Sequence, residues 1–208
     1  MANTTYKGTL RSEGGYSSIA TNSTTGAETT QMSISTAGVA SLDANKMSTE
    51  AGAGITGGTG TIYKSSVLRT GGVIKTEILI DLTGLRSTGS GDIIGINGTS
   101  EVCHIGQITA ARNGTILAGR MTCFEAPAGG DPDINIHSAT EGTGVEDGAI
   151  ADLTETILVN AGDSSVGSID ILTALPAADS YLYLTTGDAT DADYTAGKLL
   201  IELWGYEA

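Results

Sequence analysis

The sequence predicts an all-β fold, an antiparallel β-sandwich or jelly roll with an extended N-terminal arm. Three observations carry this expectation. From Thr61 onward the chain is a series of short β-branched and aliphatic runs separated by Gly, Asn and Asp. No stretch keeps an amphipathic helical period for more than two turns. Glycine, at 30 of 208 residues, is about twice its usual share of roughly 7%, whereas the 3 prolines exclude a collagen or a proline-rich linker. The expected division is an arm over residues 1–59 and a sandwich over 60–208.

The arm comes first. It is rich in Ser, Thr, Gly and Ala, and its apolar residues are thinly spaced: Leu10, Ile19, Met32, Ile34, Val39, Leu42, Met47 and Ile55. Ordering so long a backbone costs more than burying eight side chains returns. The arm is therefore expected to be held by its own β-domain or by neighbouring subunits, with Leu10, Ile19, Met32, Ile34, Val39 and Leu42 as the interface residues. Gly52-Ala53-Gly54-Ile55-Thr56-Gly57 fits the letters of the dinucleotide fingerprint. That fingerprint needs a preceding strand and a following helix. Gly58-Thr59-Gly60 follows instead, so the segment reads as a flexible linker.

The expected strands run in order. Thr61–Arg69 and Val73–Leu82 flank Thr70-Gly71-Gly72, a tight-turn signal. Asp92–Ile96 and Thr99–Ile105 flank Asn97-Gly98, and Glu101–Ala111 and Thr115–Phe124 flank Asn113-Gly114, both read as hairpins. Asp133–His137, Leu153–Asn160, Val166–Leu172, Ser180–Thr186 and Lys198–Tyr206 complete the set. Val73-Ile74, Ile78-Leu79-Ile80 and Leu199-Leu200-Ile201 are apolar on both faces. One face belongs to the core; the other needs cover from the arm or a partner.

Charge divides the chain. Up to Phe124 there are nine Lys/Arg and eight Asp/Glu; from Glu125 onward there are sixteen Asp/Glu and one base, Lys198. Without a basic cluster, direct nucleic-acid binding is not expected, and anionic membranes should repel the acidic part. No apolar run nears the ~18 residues of a membrane span, and no basic-plus-apolar signal opens the chain. The acid reads as a solvated surface.

Chemistry finds few footholds. His104 and His137 lie on expected strands without a carboxylate or thiol at ligand spacing, and HExxH, GxSxG and the Walker A pattern are absent. No enzyme, metal or cofactor is expected. Asp188, Asp191 and Asp193 share one loop, and Glu125, Asp131 and Asp133 another; these are weak calcium candidates beside ordinary turn chemistry. Cys103 and Cys123 face each other only in one of the two registers open to the Asn113-Gly114 hairpin, the alternative being buried thiols. Asn3, Asn22, Asn97 and Asn113 sit in glycosylation triplets that read as turn statistics. Tyr181, Tyr183, Tyr194, Trp204 and Tyr206 gather near the C-terminus, as strand packing or as a glycan platform.

Several phrases carry a resemblance. They are Glu77-Ile78-Leu79-Ile80-Asp81-Leu82-Thr83-Gly84-Leu85 with Asp92-Ile93-Ile94-Gly95, Ile105-Gly106-Gln107-Ile108-Thr109-Ala110-Ala111 with Asn113-Gly114-Thr115, Glu125-Ala126-Pro127-Ala128-Gly129-Gly130-Asp131-Pro132-Asp133-Ile134, and the ending from Tyr194 to Tyr206. Over roughly residues 73–206 the chain resembles virion structural proteins of tailed bacteriophages. The resemblance implies a non-enzymatic β-domain present in many copies, a capsid decoration or cement subunit made in the host cytoplasm and carried on the capsid surface. Its implied partners are the major capsid protein and copies of itself, as a homotrimer. The arm resembles capsid-spanning arms and equally the glycine-rich shafts of fibres, so a tail fibre, spike or receptor-binding module for host glycans stands as the alternative.

Overall fold

A computed structural model describes the backbone of residues 16–21, 28–34 and 40–42, and residues 49–207 in full. The chain forms two compact units, Met1–Lys46 and Met47–Ala208. In the first, β1 (Tyr16–Thr21), β2 (Glu28–Ile34) and β3 (Ala40–Leu42) make an antiparallel sheet in the order β1-β2-β3. Leu10 and Val39 lie outside the described residues. On the backbone, Ile19 stands opposite Thr30, Met32 opposite both Ser18 and Leu42, and Ile34 opposite both Tyr16 and Ala40.

The second unit is an all-β antiparallel sandwich. One sheet has the order β11-β8-β14-β5-β4, built from β4 (Tyr63–Thr70), β5 (Val73–Asp81), β8 (Thr115–Ala128), β11 (Ile169–Ile171) and β14 (Ala196–Tyr206). The other has the order β10-β9-β12-β7, built from β7 (Gly106–Gln107), β9 (Ile134–Ala139), β10 (Glu155–Val159) and β12 (Tyr181–Thr186). A two-stranded ribbon pairs β6 (Arg86–Ser87) with β13 (Ala192–Asp193). Buried residues of both large sheets join one core, with Ile78, Ile80, Leu199, Ile201 and Leu203 from the first and Ile134, Ile136, Leu182 and Leu184 from the second. Fully burying each such side chain contributes about 1.5–3 kcal/mol, which is why the period-2 pattern fixes register so firmly.

The β4–β5 hairpin forms as expected. Thr70 pairs with Val73 across Gly71-Gly72, whose φ angles of 58° and 87° are the two positive values that this tight turn demands. The two Asn-Gly hairpins do not form. Asn97-Gly98 is a turn between single bridges, Arg86 with Gly95 and Val102 with Val145. Asn113 ends a one-turn helix, α2 (Ala110–Asn113), capped at its start by the Thr109 side chain. Its amide is completely buried and bonds three segments: Oδ1 accepts from Thr109 N–H at 2.9 Å, and Nδ2 donates to Thr76 Oγ1 at 2.8 Å and Thr49 Oγ1 at 3.3 Å. A buried polar side chain with three partners is worth more here than a hairpin turn would be. Complete burial also removes Asn113 from glycosylation.

The linker reading of residues 52–57 is overturned. Ala53–Thr56 forms a helical turn, α1, with Ile55 in the core. A Cβ on Gly54 would stand 2.4 Å from Cys103 Sγ and 2.7 Å from Glu101 O, so these glycines serve close packing. Thr49 is anchored as well: its N–H donates to Ser65 Oγ, and its carbonyl accepts from Ser65 Oγ at 2.7 Å and from the Tyr63 hydroxyl. Residues 49–59, expected in the arm, thus belong to the sandwich unit.

Candidate interaction surface

The five-stranded sheet turns one face to the core and presents the other outward. Registers and burial place Lys64, Ser66 and Leu68 (β4), Val73, Lys75, Glu77 and Leu79 (β5), Leu200, Glu202, Trp204 and Tyr206 (β14), Thr122, Arg120 and Ala118 (β8), and Ile169 and Ile171 (β11) on the outward side. Leu79 and Leu200, from the runs that are apolar on both faces, are half-buried there, and Val73 is exposed. The strands buried on both sides are instead β9, all six of whose residues are buried, and most of β12. Loops continue the sheet beside β12, where Ile94 N–H donates to Leu184 O and Ile105 N–H to Leu182 O, and the Tyr183 hydroxyl donates to Glu141 O of a further loop.

Bulges re-aim two more side chains. Between the Leu199–Cys123 and Lys198–Glu125 pairs, β8 carries one extra residue, Phe124; between Trp204–Ala118 and Gly205–Ile116 it carries another, Leu117. Two residues opposite one bend the strand and free a side chain from the alternation. Both are exposed.

An ion network occupies the middle of the face. Lys75 Nζ lies 2.7 Å from both Glu77 and Glu202, and Arg120 Nε lies 2.6 Å from the second Glu202 oxygen. The Glu202 side chain is only 4% exposed. Burial alone would raise its carboxyl; the hydrogen bonds from Lys75 and Arg120 outweigh that and hold it below the ordinary glutamate range. Trp204, two residues on, has Lys75 at 5.9 Å and Arg120 at 5.6 Å from its ring centroid, so both cations also meet an aromatic face. At the other end of β14, Lys198 bonds Glu125 and lies 3.4 Å from Asp81.

The carboxylates weighed as calcium ligands divide: Asp191 and Asp193 turn to Arg86, whereas Asp188 comes together with Asp131 and Asp133 of the other loop. Asp191 and Asp193 grip Arg86 at 2.7 and 2.8 Å. Asp188 offers its N–H to Asp131 Oδ2 at 2.7 Å, while Asp131 Oδ1 accepts from Asp133 N–H. Among the described residues no set of three His, Cys, Asp or Glu side chains gathers to hold a metal. A surface cleft of about 520 Å³ between these loops is lined by Arg86, Glu146, Asp147 and Asp191, with its one arginine already engaged.

His104 packs against Tyr181 and Tyr183 at centroid distances of 5.0 and 6.4 Å, and burial lowers its pKa. His137 Nδ1 lies 2.8 Å from Glu155 Oε2. Cys103 and Cys123 are both buried and unbonded, with no hairpin to bring them opposite each other, and burial pushes the Cys103 thiol up to about 11. The C-terminal aromatics split: Tyr183 and Tyr194 are in the core, Tyr181 packs half-buried against it, and Trp204 and Tyr206 are left for the outward face. A five-residue aromatic platform is therefore not present. No family model, curated protein or solved structure matches the chain.

Proposed function

We propose that the chain is a non-enzymatic virion structural protein, a decoration or cement subunit that attaches to a shell of the major capsid protein and to copies of itself. One observation carries the assembly part of this reading. A sandwich rich in carboxylates reserves one sheet face for aliphatic and aromatic side chains around an internally paired ion network. Interfaces are built of aromatic and arginine anchors with charge already satisfied, whereas a free acidic surface favours solubility at high density. The phage-like phrases between residues 73 and 206 supply the setting. The reading of a glycan-binding fibre loses support with the burial of Tyr183 and Tyr194.

Antibody labelling of intact particles tests the reading. Dense labelling over the heads is the expected result. Labelling confined to tail tips would favour the receptor-binding alternative, and absence from purified particles would overturn a virion role.

A further inference from the structure

We propose that the outward face of the five-stranded sheet binds a second copy of this chain, like face to like face across a two-fold axis. Residues 47–208 carry seven Lys/Arg and twenty-one Asp/Glu. Four of those cations, Lys64, Lys75, Arg120 and Lys198, stand on this one face beside four carboxylates, Glu77, Asp81, Glu125 and Glu202. The face sums to zero. Everything else in the unit holds three arginines against seventeen carboxylates.

That distribution selects the occupant. A cationic partner is drawn to the acidic remainder in preference to this face, and an anionic partner is repelled by the unit as a whole. Two copies repel least when their neutral faces meet and their acidic surfaces point apart. All four carboxylates are paired within each copy, to Lys75, Arg120 or Lys198, so covering them strands no unpaired carboxylate, while Lys64 stands exposed on the edge strand β4. Around them stand apolar side chains open to solvent, among them Ile171 at 73% and Leu68 at 58% exposure, with Phe124, Ile169 and Tyr206. Such a patch on an isolated chain is a contact awaiting its partner. The contact rests on the self-association in the proposed function but makes it a two-fold pair in place of the homotrimer that the resemblance implies, and it is testable without a particle.

Light scattering after gel filtration of the full chain, across a sodium chloride series, gives the test. The expected mass is twice the chain's 21.0 kDa, with the paired fraction rising as salt screens the acidic surfaces. Ile171→Asp and Leu68→Asp put charge on the neutral face at solvent-exposed positions, so circular dichroism should remain that of the parent. Each should weaken pairing by about tenfold or more. Ile157→Asp, on β10 of the other sheet, should leave pairing unchanged. A single-chain mass at every salt and protein concentration overturns the proposal, as does pairing that both face variants leave intact. A mass of three chains overturns it too, because a face that meets itself closes in twos. A single-chain mass combined with dense labelling of virion heads would remove this contact alone and leave the structural role standing.

Discussion

Glu202 lies at the centre of the outward face with a carboxylate almost wholly out of water, and it is tolerated there because Lys75 and Arg120 each claim one of its oxygens. Removing the anion takes the carboxylate from Arg120 and leaves Lys75 with Glu77 alone. Glu202→Gln should therefore cost about 1–3 kcal/mol in urea unfolding at neutral pH. The pH dependence has a definite sign. The carboxyl is held below its ordinary value of 4.5, so its contribution is fully present above that value and is lost as pH falls through the depressed folded value. Urea midpoints followed from pH 7 downward should fall more steeply below about pH 4.5 in the parent chain than in Glu202→Gln. Equal slopes would show that the two cations do not stabilise this carboxylate. None of this was visible in the sequence, because Lys75, Arg120 and Glu202 are far apart in the chain and only the β5-β14-β8 order brings them side by side.

Strands were legible wherever local pattern and tertiary demand agreed. β4, β5, β8, β9, β12 and β14 fall close to the expected runs, because alternating or β-branched segments bounded by turn residues have one way to bury their apolar side. Segments 92–113 were misread for the opposite reason. Asn-Gly is a strong hairpin signal in isolation, but at residue 113 the buried amide, besides a local bond to Thr109, reaches Thr76 of β5 and Thr49, two long-range bonds that no local window contains. The bulges that expose Leu117 and Phe124 are similarly a property of pairing with β14. Asn113→Ala tests how far one side chain unites these elements. It deletes three hydrogen bonds and leaves Thr109 N–H without its acceptor, so the expected cost is about 2–3 kcal/mol, read as a lower urea midpoint with unchanged slope. Asn113→Asp should be worse, since it keeps the acceptor but buries a charge and loses both donated bonds. A hairpin-turn role would instead make Asn113→Asp nearly neutral, because Asp-Gly serves such a turn almost as well.

At the scale of the whole molecule, the chain's charge of −14 acts against its own compact state. The excess lies in the sandwich unit, since residues 1–46 hold three Lys/Arg and three Asp/Glu. The charge split read from the sequence was thus sound in sign, but its boundary was drawn along the chain, whereas in the fold it separates one sheet face from the remaining surface. Two salt effects oppose each other. Screening weakens the ion pairs of the outward face, yet those contacts are short and partly desolvated, where salt reaches them least. Repulsion among the dispersed carboxylates acts over longer distances and is cut back as the Debye length falls from ~30 Å at 0.01 M to ~8 Å at 0.15 M. The second effect should win, so the thermal midpoint at pH 7 should rise by a few degrees between those salt concentrations, consistent with a gain of about 1 kcal/mol. Pairing of copies would also raise the midpoint with salt, but its share scales with protein concentration, whereas relief of self-repulsion does not. Melting curves over a hundredfold range of protein concentration at each salt separate the two. A midpoint that falls with salt at every protein concentration would mean that the ion pairs, and not the dispersed carboxylates, dominate the electrostatics of the fold.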